Sequence, residues 1–263
     1  MNEDIIFLKL GGSLITEKGQ QETALPEVIF NLLSDLKRYL QSNPEQKILL
    51  GHGSGSFGHY AAAKYNTRNG VRTFTEWQGF HEVWESARKL NQIVIEISKQ
   101  VDLELISFPP SAGLFSKNGQ VVNWNTQPIE RALDSGLIPL VYGDVVFDEV
   151  LGGTIFSTEE LFAYLADILK PTRILLAGKE KAVYADYPIN QQRIDHISRS
   201  APLENYLHPS QNQDVTGGMR SKVAQMQTIA LANPGTIVEI FGYNQPGELF
   251  SALSGSHSGT IIS

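Results

Sequence analysis

Three glycine-rich stretches with basic residues in or beside them define the chemistry open to this chain. Lys9–Leu10–Gly11–Gly12–Ser13 ends the apolar run that begins at Ile5, with Thr16 and Lys18 just behind. Gly51–His52–Gly53–Ser54–Gly55–Ser56–Phe57–Gly58–His59 follows a second apolar run. Asp214–Val215–Thr216–Gly217–Gly218–Met219 precedes helix-like spacing, with Lys222 on the next turn. Glycine turns at strand ends admit phosphate oxygens closely because no Cβ intervenes, and a nearby ammonium supplies the countercharge. A helix start behind the glycines adds its own field. The same residues also fit strands ending in flexible turns, with Lys9 reaching solvent along its aliphatic stem and Lys18 a mobile surface lysine. Ser54 and Ser56 add hydroxyl donors, and His59 adds a neutral or cationic donor. Gly152–Gly153 and Gly178–Lys179–Glu180–Lys181 repeat the combination more weakly. None of these stretches has Walker A spacing, and the first, Lys9–Leu10–Gly11–Gly12–Ser13, lacks a GxGxxG fingerprint.

The elements that must carry these turns alternate in type. Ile5–Leu10 reads as a buried strand. Pro26 opens a helix whose apolar face is Val28, Ile29, Leu32, Leu33, Leu36 and Tyr39, closed by Asn43–Pro44. Lys47–Leu50 is the next strand, and this βαβ beginning predicts parallel strands under covering helices. The glycine stretch from Gly51 is expected to be a loop in which four glycines among nine residues mark close backbone approach to a ligand. Residues 74–101 read as a long helix, whose apolar face either packs in the core or lines an apolar pocket. Residues 103–108 read as a strand stopped by Pro109–Pro110, and residues 111–125 as a polar excursion. A helix over 128–134 and a strand over 138–142 follow. Gly143–Asp144–Val145–Val146 and Gly152–Gly153 read as turns, with the acidic residues as caps. Ser157 and Glu160 stand at capping-box positions of a helix, and Glu159 between them either caps locally or positions lysines. Strands are expected over 172–177 and 236–241, and residues 258–262 as an edge strand. A second lobe is expected to begin near Pro171.

Size and composition bound the function. The 263 residues suffice for one large core or two lobes. A formal charge of -7 argues against broad nucleic-acid binding but leaves room for a locally positive pocket. With no cysteine, thiolate catalysis, disulfides and cysteine–zinc sites are absent. No apolar run approaches a membrane span, and the acidic start is unlike a signal peptide, so a cytoplasmic protein is expected.

In this order, Lys9–Leu10–Gly11–Gly12–Ser13, Lys18, the Gly51–His59 stretch, Gly143–Asp144–Val145–Val146, Gly152–Gly153 and Asp214–Lys222 resemble the amino-acid-kinase family. Within it they are most similar to the branch that phosphorylates isopentenyl phosphate, over essentially the whole chain. The resemblance implies a three-layer α/β/α fold with a largely parallel central sheet. It implies an acceptor lobe over residues 1–170 and a nucleotide lobe over 171–263, ATP and Mg2+ as requirements, isopentenyl phosphate as acceptor, and a homodimer.

It further implies that Lys9, Lys18, His59 and Lys222 are catalytic, with Lys9 beside the transferring phosphoryl group. Gly11, Gly12, Ser13, Gly178, Lys179, Gly217 and Gly218 join Lys9 and Lys222 around the nucleotide. Gly53, Ser54, Gly58, His59, Gly152 and Gly153 hold the acceptor, and no residue is assigned as a metal ligand. Thr158–Glu159 departs from the family's Gly–Asp, Ser54 stands where glycine or alanine is usual, and 177–184 departs near the adenine side. A phosphonate-antibiotic kinase shares the histidine, and a non-catalytic phosphate sensor could keep the glycines. A two-metal hydrolase would need Asp144, Asp148 and Asp214 to converge, and a nicotinamide dehydrogenase would need a GxGxxG fingerprint in the initial turn, which lacks it.

Overall fold

A computed structural model describes residues 4–207 and 218–263, the side chain of His59 excepted. The opening apolar run is β1 (Ile5–Leu10), buried along its whole length, which turns through Gly11 into the short helix α1 (Gly12–Ile15). Pro26 stands at the start of α2 (Pro26–Ser42), where its missing N–H has no partner to lose. β2 (Lys47–His52) then lies parallel to β1.

The expected glycine loop is largely regular structure. β2 extends to His52, and after Gly53–Ser54 the chain is already helical in α3 (Gly55–Tyr65). α4 (Phe74–Gln100) follows, opened by a reciprocal capping box between Thr73 and Glu76. After β3 (Leu105–Ser107), the expected polar excursion is a hairpin of β4 (Leu114–Lys117) and β5 (Gln120–Trp124). Its turn is Asn118–Gly119, at φ 50 and 74°, the left-handed pair that this dipeptide favours.

α5 (Gln127–Asp134) and β6 (Ile138–Tyr142) form where the pattern places them. The stretch expected to be turns is instead an antiparallel pair, β7 (Asp144–Asp148) and β8 (Gly152–Phe156). Asp148 does cap: its carboxylate accepts from the amides of Asn118, Gly119, Val150 and Leu151 and from the Ser116 hydroxyl. Burial pushes that carboxyl up, but these bonds outweigh it and hold Asp148 far below the usual carboxylate range.

α6 (Thr158–Leu169) carries the capping box of Ser157 and Glu160. The remaining elements are β9 (Arg173–Gly178), β10 (Val183–Tyr184), β11 (Arg193–Ile194), β12 (His196–Ile197), α7 (Gly218–Ala232), β13 (Ile237–Gly242), α8 (Glu248–Leu253) and β14 (Thr260–Ile262).

The main sheet has eight strands in the order β12-β14-β13-β9-β1-β2-β6-β3. Its pairings are parallel except β13 with β14. β14 is therefore not the edge strand expected of it, because β12 pairs outside it. Successive β1 side chains point to opposite faces and divide the core. Ile5 and Phe7 pack with α5, α6 and α7, whereas Ile6, Leu8 and Leu10 pack with α2, α4 and α8. That alternation makes the three-layer α/β/α sandwich. No helix among the described residues is long and apolar enough to cross a membrane.

Candidate active site

Strand parity aims Lys9. It shares the odd-numbered face of β1 with Ile5 and Phe7, so its side chain enters the layer that holds α6 and α7. There its Nζ donates to Glu159 Oε1, and both residues are buried. Glu159 is the second residue of α6, at a position fixed by the Ser157 cap. Lys222, half-buried on the second turn of α7, acts on both charges.

Burial pulls the Lys9 ammonium below its ordinary value; Glu159 opposes the shift and Lys222 adds to it. Burial pushes the Glu159 carboxyl up, but the two lysine charges outweigh it and leave the group below its ordinary value. Glu159 is thus a carboxylate facing two ammonium groups. The unbalanced positive charge, at the carboxyl ends of parallel strands, suits an anion.

Two helix starts converge on the same corner. A Cβ on Gly12 would stand 2.4 Å from the Gly55 nitrogen, so the turns after β1 and β2 touch backbone to backbone. Thr16 ties them together, its hydroxyl donating to the Gly12 carbonyl at 2.8 Å and accepting from the Ser56 amide at 3.0 Å. The Ser54 hydroxyl donates to the Gly143 carbonyl at 3.0 Å, and the Thr158 hydroxyl donates to the His52 carbonyl at 2.6 Å.

The glycine amides do not all face a ligand as the sequence suggests. Gly11 donates its N–H to the Ala177 carbonyl at 2.8 Å, and Gly53 donates to the Leu10 carbonyl at 3.0 Å. Those two bonds brace the turns. The amides of Gly12, Ser13, Ser54 and Gly55 have no acceptor among the described residues, and these are the groups that helix starts leave open to anions.

The other sequence-derived candidates divide. Gly58 lies on α3 against the Ser54 side chain. Gly152 and Gly153 lie in β8, where an added Cβ would meet the Val71 carbonyl at 2.1 Å and the Phe80 ring at 2.7 Å, so close packing explains both glycines. Gly178 ends β9, and its carbonyl accepts from the Tyr243 amide at 2.9 Å. Ser13, Lys18 and Lys179 are exposed. Gly218 begins α7. The His59 side chain, Asp214 and Gly217 lie outside the described residues.

A buried polar group stands beside the acceptor turn. His52 stacks on Tyr142, with ring centroids 5.3 Å apart, and approaches the Asn91 carbonyl oxygen at 3.4 Å. Burial lowers its pKa to about 4 against the weaker help of Gly53 and Asn91. Asp144 accepts from the Ser111 hydroxyl at 2.6 Å and from the Val145 amide at 2.8 Å. Burial still raises its pKa to about 6. Further along α3 and β7, Ala61, Val71, Phe80, Val83 and Val145 form an apolar cluster flanked by Trp77 and Trp84. Among the described residues, no three His, Asp or Glu side chains converge as a metal site. The donor set is one of ammonium groups and amides, suited to phosphate and to a magnesium ion carried on it.

Glu159 holds Lys9, the second of the two roles the sequence leaves open to it, but spacing alone did not single out that lysine, because the partners stand 150 positions apart. The tie between Thr16 and Ser56 was also missed, since neither hydroxyl occupies a capping position that pattern alone would flag.

A three-layer sandwich with helix starts and a buried lysine–glutamate pair at the carboxyl edge of its sheet defines a phosphate-handling α/β protein. The chain belongs to the amino acid kinase family, whose sequence model matches residues 4–238. It is 32% identical over 265 residues to isopentenyl phosphate kinase of Methanocaldococcus jannaschii, covering 98% of each chain. It is 30% identical to the enzyme of that name from Methanothermobacter thermautotrophicus, covering 95% of this chain and 96% of the other. A solved X-ray structure of isopentenyl phosphate kinase superimposes with a TM-score of 0.84 at 27% identity, covering 98% of this chain and all (100%) of that one.

Proposed function

We propose that this chain is an isopentenyl phosphate kinase, transferring the γ-phosphoryl group of ATP to isopentenyl phosphate. The carrying observation is the buried Lys9–Glu159 pair, with Lys222 nearby, beside the open helix starts of α1 and α3. Full-length similarity to kinases of that name supports the choice of acceptor. The apolar cluster around Phe80 and Val145 suits a short hydrocarbon tail attached to a phosphate.

In the reaction, an oxygen of the acceptor phosphate attacks the γ-phosphorus. The bond from that phosphorus to the bridging oxygen of ADP breaks, leaving isopentenyl diphosphate and ADP. The attacking oxygen is already ionised, so catalysis consists of bringing two anions together and stabilising the charge between them. Lys9, oriented by Glu159, acts on the transferring group, Lys18 assists, and Lys222 holds the donor phosphates. The open amides of Gly12 and Ser13 serve the nucleotide, and those of Ser54 and Gly55 serve the acceptor with His59. A magnesium ion on the ATP oxygens would neutralise part of their charge.

The sheet order supports a division near residue 170. β9, β12, β13 and β14 lie on one side of β1, and β2, β3 and β6 on the other. Residues 1–170 form the acceptor lobe and 171–263 the nucleotide lobe of one continuous fold. The homodimer follows from family resemblance, and a cytoplasmic setting from the composition.

The test is incubation of the purified protein with ATP, Mg2+ and isopentenyl phosphate, followed by phosphorus NMR. Equal amounts of ADP and isopentenyl diphosphate are expected. Phosphorylation of fosfomycin with no turnover of isopentenyl phosphate would assign the antibiotic class instead. Binding without transfer to any acceptor would make the chain a sensor.

A further inference from the structure

The loop between α1 and α2 carries Lys18 on an exposed turn, yet both ends of that loop are bound to the acceptor side of the molecule. Its base closes as a narrow antiparallel bridge between Thr16 and Ala24, with the Glu17 amide donating to the Thr23 carbonyl at 2.8 Å. Ser56, in the first turn of α3, holds this base at three points. Its amide donates to the Thr16 hydroxyl at 3.0 Å, its carbonyl accepts from the Glu22 amide at 3.3 Å, and its hydroxyl accepts from the Thr23 amide at 3.4 Å.

Glu22 makes the attachment to α4. It is a non-glycine residue in the left-handed region, at φ 49°, a conformation that surrounding contacts must maintain. One carboxylate oxygen accepts from the Ser86 hydroxyl and the other from Lys89 Nζ at 3.1 Å. Ser86 is buried, so its bond is sheltered, whereas Lys89 is half exposed and contributes less. Neither Ser86 nor Lys89 belongs to the phosphate-binding turns. Their bonds to Glu22 instead fix the point from which the Lys18 turn projects.

We propose that Glu22 is a positioning residue that clamps the Lys18 loop onto α3 and α4, coupling the acceptor-binding helix to the placement of Lys18. The proposal rests on the kinase reading for the role of Lys18. Breaking the clamp leaves the Lys9–Glu159 pair and the nucleotide side intact, and removes only the fixed origin of the Lys18 turn. Misplacement of a charge by about 1 Å is enough to cost roughly a hundredfold in rate.

The test compares Glu22→Ala, Glu22→Gln, Lys18→Ala and the double variant Lys18→Ala/Glu22→Ala in the full chain. Glu22→Ala is expected to lower kcat roughly ten- to a hundredfold with little change in KM for ATP. Glu22→Gln, which still accepts from Ser86, is expected to recover most of that loss. In the Lys18→Ala background, removing Glu22 is expected to have little further effect, because the two act as one unit. Equal losses from Glu22→Ala with and without Lys18, or unchanged kcat in Glu22→Ala, would overturn the proposal.

Hydrogen exchange supplies a readout independent of turnover. Amides 17–24 are expected to exchange faster in Glu22→Ala, with β1 and α6 unchanged. Unaltered exchange over 17–24 overturns the clamp even in an active enzyme. A wild-type protein with no kinase activity would instead count against the functional reading, and the exchange result would then decide the clamp separately.

Discussion

Lys9 at the end of β1 and Glu159 at the start of α6 form a buried ion pair between residues 150 positions apart. The pair joins the strand that opens the fold to the helix whose start is fixed by the Ser157 cap. Because Lys222 also acts on it, Glu159 balances one of two cations and orients Lys9.

Glu159→Gln removes the negative charge while nearly preserving shape. Lys9 is then left buried without its counter-ion, a loss of about 3–5 kcal/mol where a buried pair is broken from one side. A clear fall in melting temperature and a fall in kcat of roughly tenfold or more are expected, with KM for the acceptor changed less. Thermal unfolding and steady-state kinetics measure both. Wild-type turnover in this variant would mean that Glu159 does not organise the lysine.

Lys9→Ala is expected to lower kcat by roughly ten- to a thousandfold, the scale of losing one organised electrostatic contact. Lys9→Arg is expected to be impaired as well. The planar guanidinium is larger than the ammonium and must fit a pocket already closed around Glu159. Single-turnover kinetics at saturating ATP and acceptor separate this loss from weaker binding, and turnover near wild type would remove Lys9 from the chemistry.

The limits of the sequence reading follow from what a one-dimensional pattern encodes. β1, α2, α4 and α6 are legible because their apolar periods and caps are local, as with Pro26 for α2 and Ser157–Glu160 for α6. The β4–β5 hairpin is hidden because its strands are short and their apolar residues do not alternate cleanly, although Asn118–Gly119 marks the turn. The meaning of the glycines is harder to read. A missing side chain signals close approach equally well whether the neighbour is a phosphate or another part of the chain. Gly11 and Gly53 donate to the protein's own carbonyls, and Gly153 makes room for Phe80, so much of the apparent ligand signal is internal packing.

Gly12 tests that distinction directly. A methyl group there would lie 2.4 Å from the Gly55 nitrogen and 2.8 Å from the Gly55 Cα, both backbone atoms that no side-chain rotation can move. Gly12→Ala is expected to destabilise the protein by about 1–3 kcal/mol, the cost of overpacking, and to suppress activity by parting α1 from α3. Gly235→Ala is the control, since an added Cβ there meets nothing within 4 Å and its φ lies outside the left-handed region. It is expected to be neutral or slightly stabilising. Urea unfolding of the two variants side by side measures the contrast, and equal stabilities would mean that the backbones can part at little cost.

Asp144 and His52 oppose each other in the pH dependence of stability. The Asp144 carboxyl is raised from 3.8 to about 6 by burial, so the folded protein holds its proton after the unfolded chain has lost it. Its contribution is fully present below pH 3.8 and disappears as pH rises through about 6, a change of about 3 kcal/mol. His52 is lowered from 6.5 to about 4, again chiefly by burial, so its contribution is present above pH 6.5 and disappears as pH falls through about 4. Between pH 4 and 6 the two largely cancel in the wild type. Asp144→Asn removes one of them. An amide facing the Ser111 and Val145 donors shifts stability by a pH-independent amount, which cancels when slopes are compared. The variant is therefore expected to gain stability relative to wild type by about 2 kcal/mol between pH 4 and pH 7. Urea unfolding at pH 4, 5, 6 and 7 measures this, and parallel curves for the two proteins would show that Asp144 titrates as an ordinary carboxylate.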